Sequence, residues 1–237
     1  MAGKRKSSRQ SEEQNRRVAK QSRKKGTLSS KKPKENTTQK ISKMFDAYAD
    51  EDNFVASLDG LSKLGDDIGI DALEDVRILV LMWKMQAKAK PAQINRDEYV
   101  KGCIKLGVDS IEKMKKLLPS LDPGFLEHSE FVDFYEFVFQ FNREGTHRSL
   151  DRSLVAELMR LVLKNRVDKK KLHSVVDFLE NHSNVTHITL DQWKQFLSFM
   201  NEVHDLKRDY DEDGAWPVII DEYVDYTLSK KGETENK

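Results

Sequence analysis

The sequence predicts an all-α fold of about ten helices joined by short loops, and three observations predict it. Apolar residues recur at helical spacing from Ile41 to Leu228. Residues that favour helix starts, such as Asn95, Ser110 and Thr189, stand just ahead of several of those stripes. Strict apolar–polar alternation is weak throughout, so strands are expected only as short pairings near residues 56–58 or 186–188.

Each element follows from its own stripe. Ile41, Met44, Phe45 and Tyr48 mark the first helix, and Leu61, Leu64 and Ile68 a short second one. Asp71 precedes Val76, Ile78, Leu79, Val80, Leu81, Met82, Trp83 and Met85. That run is apolar nearly all round, which predicts a buried central helix ended by Pro91. Arg77 and Lys84 interrupt it and it is too short to span a membrane. Asn95 is a good N-cap for the next helix, whose apolar face is Val100, Cys103, Ile104 and Leu106. Ser110 opens a helix that stops near Pro119, and Pro123 and Gly124 punctuate a loop over residues 120–128. Phe131, Phe134, Tyr135, Phe137, Val138, Phe139 and Phe141 form an aromatic centre. Leu154, Val155, Leu158, Leu161 and Val162 make the next stripe, and Val175, Val176, Phe178 and Leu179 another. Thr189 caps a long helix carrying Trp193, Phe196, Leu197 and Met200. Pro217 suits the first turn of a last helix, with a core stripe drawn from Val218, Ile219, Tyr223, Val224 and Tyr226.

A formal net charge of +1 hides a strong asymmetry. Residues 1–40 hold 14 Lys and Arg against 3 Glu, which leaves the remainder acidic. Low hydrophobicity and no helical stripe predict a disordered basic tail over 1–40, a helical domain over 41–229 and a disordered end over 230–237. Lys4, Arg5 and Lys6, with Arg23, Lys24 and Lys25, form clusters of the nuclear-import type, which suits a protein of nucleus and cytoplasm. A nucleic-acid-binding alternative would use the same tail on phosphates, with steep salt dependence. No apolar region follows the basic start, so no secretory leader is expected. The single cysteine, Cys103, excludes an intrachain disulfide and fits a reducing compartment. Its apolar neighbours predict burial, whereas a thioester-forming ligase would need it exposed.

The residues offer little chemistry. Asp209, Asp211, Asp213 and Gly214 match the opening of a calcium-binding EF-hand loop, which gives a calcium-sensing alternative. The twelfth position, where a bidentate carboxylate must stand, is Ile220. Phosphate loop, nucleophile elbow and zinc spacing are all missing, and His182 and His187 lack companions for a ligand set. The reading is a non-catalytic protein with no metal and no cofactor.

Several blocks carry a family resemblance. Asp213-Gly-Ala-Trp-Pro-Val-Ile-Ile-Asp-Glu-Tyr-Val224 resembles the hallmark of the defective-in-cullin-neddylation family and its potentiating-neddylation domain. Asp59-Gly-Leu61, Ile78–Lys84, Asp109–Lys113, Phe131–Phe137, Arg148–Asp151 and Leu190-Asp-Gln-Trp193 are similar to that family in the same order, from about residue 41 to about residue 228. The chain looks most like short members with a basic tail and no N-terminal ubiquitin-binding domain.

The resemblance implies EF-hand-like helix pairs without metal and a scaffold-type co-ligase. Such a protein holds a cullin and the conjugating enzyme charged with the Nedd (Rub) modifier, and its contacts extend to the modifier itself and the cullin–RING ligase complex. It implies a monomer and no membrane partner. The family's cullin patch carries over onto Asp191, Ala215 and Asp221. Its pocket for the acetylated N-terminal methionine of the conjugating enzyme falls on Leu61, Ile78, Leu81, Met85, Ile94, Phe141, Leu158 and Leu161. Leu158 and Met85 depart from the aromatics common there, and Pro91-Ala-Gln-Ile94 departs from the usual rim.

Overall fold

A computed structural model describes residues 35–52 and 54–235. The tail residues singled out above, Lys4, Arg5, Lys6, Arg23, Lys24 and Lys25, lie outside that range. The described residues form ten α-helices and four short strands. Helix α1 (Glu35–Phe45), strand β1 (Val55–Ala56) and helix α2 (Leu58–Ile68) make a first helix–strand–helix unit. Helix α3 (Arg77–Met85), strand β2 (Ile94–Asn95) and helix α4 (Arg96–Leu106) make a second. β1 and β2 pair antiparallel, Val55 against Asn95 and Ala56 against Ile94. After α5 (Ile111–Leu117) and two 3-10 turns, Leu118–Leu121 and Pro123–Phe125, the arrangement repeats. α6 (His128–Asn142), β3 (Ser149–Asp151) and α7 (Arg152–Leu163) face α8 (Lys169–Asn181), β4 (His187–Thr189) and α9 (Leu190–Glu202). Leu150 of β3 stands opposite Ile188 of β4, and α10 (Val218–Glu235) follows. The two bridged pairs are the EF-hand-like arrangement that the resemblance implied.

Local chemistry explains the boundaries. The Asn95 side chain accepts from Glu98 N–H while the Glu98 carboxylate accepts from Asn95 N–H. Thr189 and Gln192 close the same reciprocal box at α9, and Ser110 caps α5. Each such cap contributes about 1 kcal/mol. Asp151 and Asp168 cap α7 and α8 in the same way. α1 begins at Glu35 and α10 runs to Glu235, so helix extends past both ends of the stretch 41–229. The central helix α3 does not run to Pro91. It stops at Met85, because Gln86 takes a left-handed conformation at φ 61 and its N–H returns to the carbonyls of Met82 and Trp83. In α10 the expected stripe holds at Ile219, Tyr223 and Val224 but takes Ile220 in place of Val218. Ile219, Ile220, Tyr223 and Val224 are buried, whereas Val218 is 69% exposed.

The core centres on Trp193 and Tyr135, whose rings stack at 4.1 Å and 9°. Each hydrogen-bonds the other's backbone: Tyr135 OH donates to Trp193 O at 3.1 Å, and Trp193 Nε1–H donates to Tyr135 O at 2.9 Å. Two polar aromatics are buried there without an orphaned donor. Tyr99 differs. Its ring packs against Phe45 and Tyr48, but its buried hydroxyl has only the Cys103 thiol beside it, a weak partner that does not complete a regular hydrogen bond. A buried hydroxyl without a full-strength partner costs up to about 1–3 kcal/mol. Tyr99→Phe is therefore expected to leave the melting temperature unchanged or raise it in a thermal melt. A clear drop would show that the hydroxyl has a strong partner. Among the described residues, no helix is long and apolar enough to cross a membrane.

Candidate functional site

The C-terminal half of α9 carries an aromatic hub. Phe199 is fully buried, and three rings meet it edge-on: Trp216 at 5.6 Å, Tyr223 at 5.6 Å and Tyr210 at 6.4 Å. Trp216 follows the exposed Ala215 directly, so the hub fixes where that small side chain meets solvent. Tyr210 OH donates to Asp221 Oδ1 at 2.5 Å. Burial, then that bond to Asp221, pushes the Tyr210 hydroxyl above its usual range, so the phenol keeps its proton.

The loop 204–214 uses its carboxylates on itself. Asp209 accepts from the N–H groups of His204 and Asp205 at 3.0 and 2.9 Å and from Arg208 at 2.7 Å. The Arg208 guanidinium, then the Asp205 N–H, holds the Asp209 carboxyl well below the usual carboxylate range. Asp211 accepts from Asp213 N–H at 3.0 Å. Ile220, the twelfth position of the would-be calcium loop, is fully buried. Asp209 therefore serves the fold of the loop, and the position that would close a calcium shell belongs to the core.

Asp191 is exposed in the first turn of α9. Eight residues separate it from Phe199, about 12 Å along the helix axis at 1.5 Å per residue. Ala215 and Asp221 are thus joined through Phe199, Trp216 and Tyr210, while Asp191 is linked to them along α9. Phe199 and Tyr210 are not among the residues the sequence marks for this face. Phe199 stands three residues past Phe196, a spacing that signals one more core-facing position, but its role as a platform needs the rings that converge on it.

The eight apolar positions come from α2 (Leu61), α3 (Ile78, Leu81, Met85), β2 (Ile94), α6 (Phe141) and α7 (Leu158, Leu161), and all belong to or pack on one core cluster. Seven are buried and only Leu161 is half-buried. Met85 lines a cleft of about 730 Å³ beside Phe54, Gln86 and Lys101. Leu161 lines a different groove of about 720 Å³ between α7 and α8, with Leu73, Leu172 and Val176. Ala92 N–H donates to Phe141 O at 2.8 Å and ties the loop before β2 to the end of α6. Cys103 is fully buried, and burial pushes its thiol up to about 12. A thiol so placed is inert as a nucleophile.

Known proteins resemble this chain along most of its length. A family model described as Cullin binding matches residues 113–226, a span that holds Asp191, Ala215 and Asp221. DCN1-like protein 3 of Xenopus tropicalis is 34% identical over 206 residues, covering 85% of this chain and 67% of that protein. DCN1-like protein 3 of Homo sapiens is 31% identical over 209 residues, covering 87% and 68%. DCN1-like protein 5 of Pongo abelii is 33% identical over 182 residues, covering 77% and 74%. The chain thus spans about two thirds to three quarters of the length of these relatives.

Proposed function

The chain belongs to the DCN1-like, cullin-binding family, and from that premise we propose that it promotes cullin neddylation as a non-catalytic scaffold. It binds a cullin through Asp191, Ala215 and Asp221. It binds the Nedd (Rub) conjugating enzyme through an apolar pocket that takes an acetylated N-terminal methionine. The observation that carries the reading is the platform around Phe199, which seats Trp216, next to the exposed Ala215, and Tyr210, the partner of Asp221, within the span matched to cullin binding. Carboxylates with a small residue on the docking face suit a basic partner surface, which steers encounter and fixes register. The buried, high-pKa Cys103 supports a helper without a thioester of its own. Holding a cullin lysine against a charged thioester removes orientational entropy from the barrier. Each tenfold in rate needs only about 1.4 kcal/mol, so a rigid scaffold suffices. The basic residues of 1–40 direct the protein to the nucleus, with a cytoplasmic share.

The test is reconstituted transfer of the modifier to a cullin, with and without the full chain. The rate is expected to rise at least about tenfold at limiting conjugating enzyme, the gain of roughly 1.4 kcal/mol in orientation. An unchanged rate rejects the reading.

The pocket carries its own prediction. Seven of its eight residues are buried, and the two that line open clefts, Met85 and Leu161, line different ones, so methionine entry requires side chains of the core to part. Burying the methionine side chain contributes roughly 1.5–3 kcal/mol. A free α-amine, with a pKa near about 7.7, must lose its proton or bury a charge, whereas an acetylated one does neither. By calorimetry an acetyl-Met peptide of the conjugating enzyme should bind about sixfold tighter than its free-amine twin at pH 7, the scale of that deprotonation cost. The gap should narrow as pH rises through 8. Equal affinities at pH 7 would remove the pocket.

A further inference from the structure

Helix α9 ends without the devices that close several of its neighbours. α2 and α4 stop on left-handed Gly69 and Gly107, whereas α9 stops on Val203 at φ −93 with no basic residue in its own last turn. The last carbonyls of a helix have no intrahelical donor and must find one elsewhere. Val203 N–H returns to Phe199 O at 3.1 Å, and the further donor to this end crosses from another helix. Lys171 Nζ, in the first turn of α8, donates to the carbonyls of Phe199 at 2.8 Å and Met200 at 3.1 Å, and to that of Val203. The same ammonium lies 4.7 Å from the centre of the Phe199 ring. A cation in the first turn of α8 stands against that helix's own dipole, so its place is not explained by α8 itself. At the end of α9 the dipole favours it.

We propose that Lys171 is a positioning residue for the cullin-docking face: it closes α9 from outside and holds Phe199 where Trp216 and Tyr210 can seat Ala215 and Asp221. The proposal rests on the assignment of that face made above. Three donors on one compact ammonium meet three converging carbonyls, a match that a planar guanidinium makes less well and a thioether cannot make at all. The neighbouring charges on the ammonium are Asp168, on the N-cap of α8, and Asp209, in the loop that leads to Tyr210. Both favour the charged form, against burial, which lowers the amine to about 8. Asp209 in turn holds the N–H groups of His204 and Asp205, so the first turn of that loop is pinned on the same side. Lys171, Phe199 and Asp209 together bracket the whole connection from α9 to Trp216.

The experiment uses the full chain carrying Lys171→Met, which keeps the length and the apolar contact with Phe199 but removes the donors. Cullin affinity is measured by calorimetry beside acetyl-Met peptide affinity, and the Gly214 and Ala215 amide resonances are followed by NMR. The expected result is at least tenfold weaker cullin binding, displaced Gly214 and Ala215 resonances, and unchanged peptide affinity, with part of the loss recovered in Lys171→Arg. Equal loss of both ligands would mean general destabilisation and would overturn the positioning role. So would wild-type cullin affinity in Lys171→Met. Ala215→Arg run alongside separates the failures. If it binds weakly while Lys171→Met binds normally, only the role of Lys171 is rejected; if both bind normally, the docking face fails and the role falls with it.

Discussion

Ala215→Arg is expected to weaken cullin binding by at least about 100-fold, because like charges brought together across an interface cost several kcal/mol and each tenfold is about 1.4 kcal/mol. Ala215 is exposed and precedes the half-buried Trp216, so a long side chain there points away from the hub and spares the fold. Thermal melts of the variant should match wild type. Asp221→Ala is a less clean test. Its carboxylate accepts the Tyr210 hydroxyl at 2.5 Å, so the truncation removes a charge from the docking face and also strands a half-buried phenol. It should lose cullin affinity and some stability together, whereas Asp221→Asn keeps an acceptor for Tyr210 and isolates the charge. Calorimetry against a cullin with parallel melts distinguishes the three variants. Wild-type affinity in Ala215→Arg would dismantle the proposed face, whatever the aspartate variants do.

Much of the helical body was legible because the cues were local. The boxes at Asn95 and Thr189 need only a residue and its neighbour three positions on, and the buried run of α3 needs only its own composition. What stayed hidden depends on partners distant in sequence. Short pairings near residues 56–58 and 186–188 were legible, and β1 and β4 stand there, but their partners were not: β2 has two residues, too few to show alternation, and exists because Ile94 meets Ala56. The end of α3 at Gln86 is a left-handed non-glycine, which no composition rule announces. Val218 reads as a core residue by type, but the phase of α10 is set by how it packs, and that turns Ile220 inward instead. At the docking face, Ala215 and Asp221 were marked by resemblance to a family. Their support was not, because Phe199, Tyr210 and Lys171 meet only after α8, α9 and the loop 204–217 are folded together.

Gly60→Ala is expected to destabilise the protein by about 3 kcal/mol or more, the upper end of overpacking costs. Helix propensity alone argues the other way, since alanine inside a helix is favoured over glycine by about 1 kcal/mol. Sterics decide the sign. A Cβ on Gly60 would lie 2.1 Å from the Tyr48 carbonyl oxygen and 3.0 Å from Ala56 Cβ. The first is backbone and cannot swing aside, so α2 would have to leave the segment after α1. For a domain of this size the loss corresponds to a fall in melting temperature of roughly 6–12 °C. Gly69→Ala is the control. Its φ of +88 strains any side chain, but nothing lies within 4 Å of the added carbon, so the cost should stay near about 1 kcal/mol. Equal melting of Gly60→Ala and wild type would mean that α2 does not approach Tyr48 so closely. The two binding faces should also respond differently. Leu61, one of the expected pocket residues, is the next residue in α2, whereas Phe199 and Ala215 belong to the second helix pair and the segment after it. Well below its melting point, Gly60→Ala should therefore keep its cullin affinity while binding the acetyl-Met peptide more weakly.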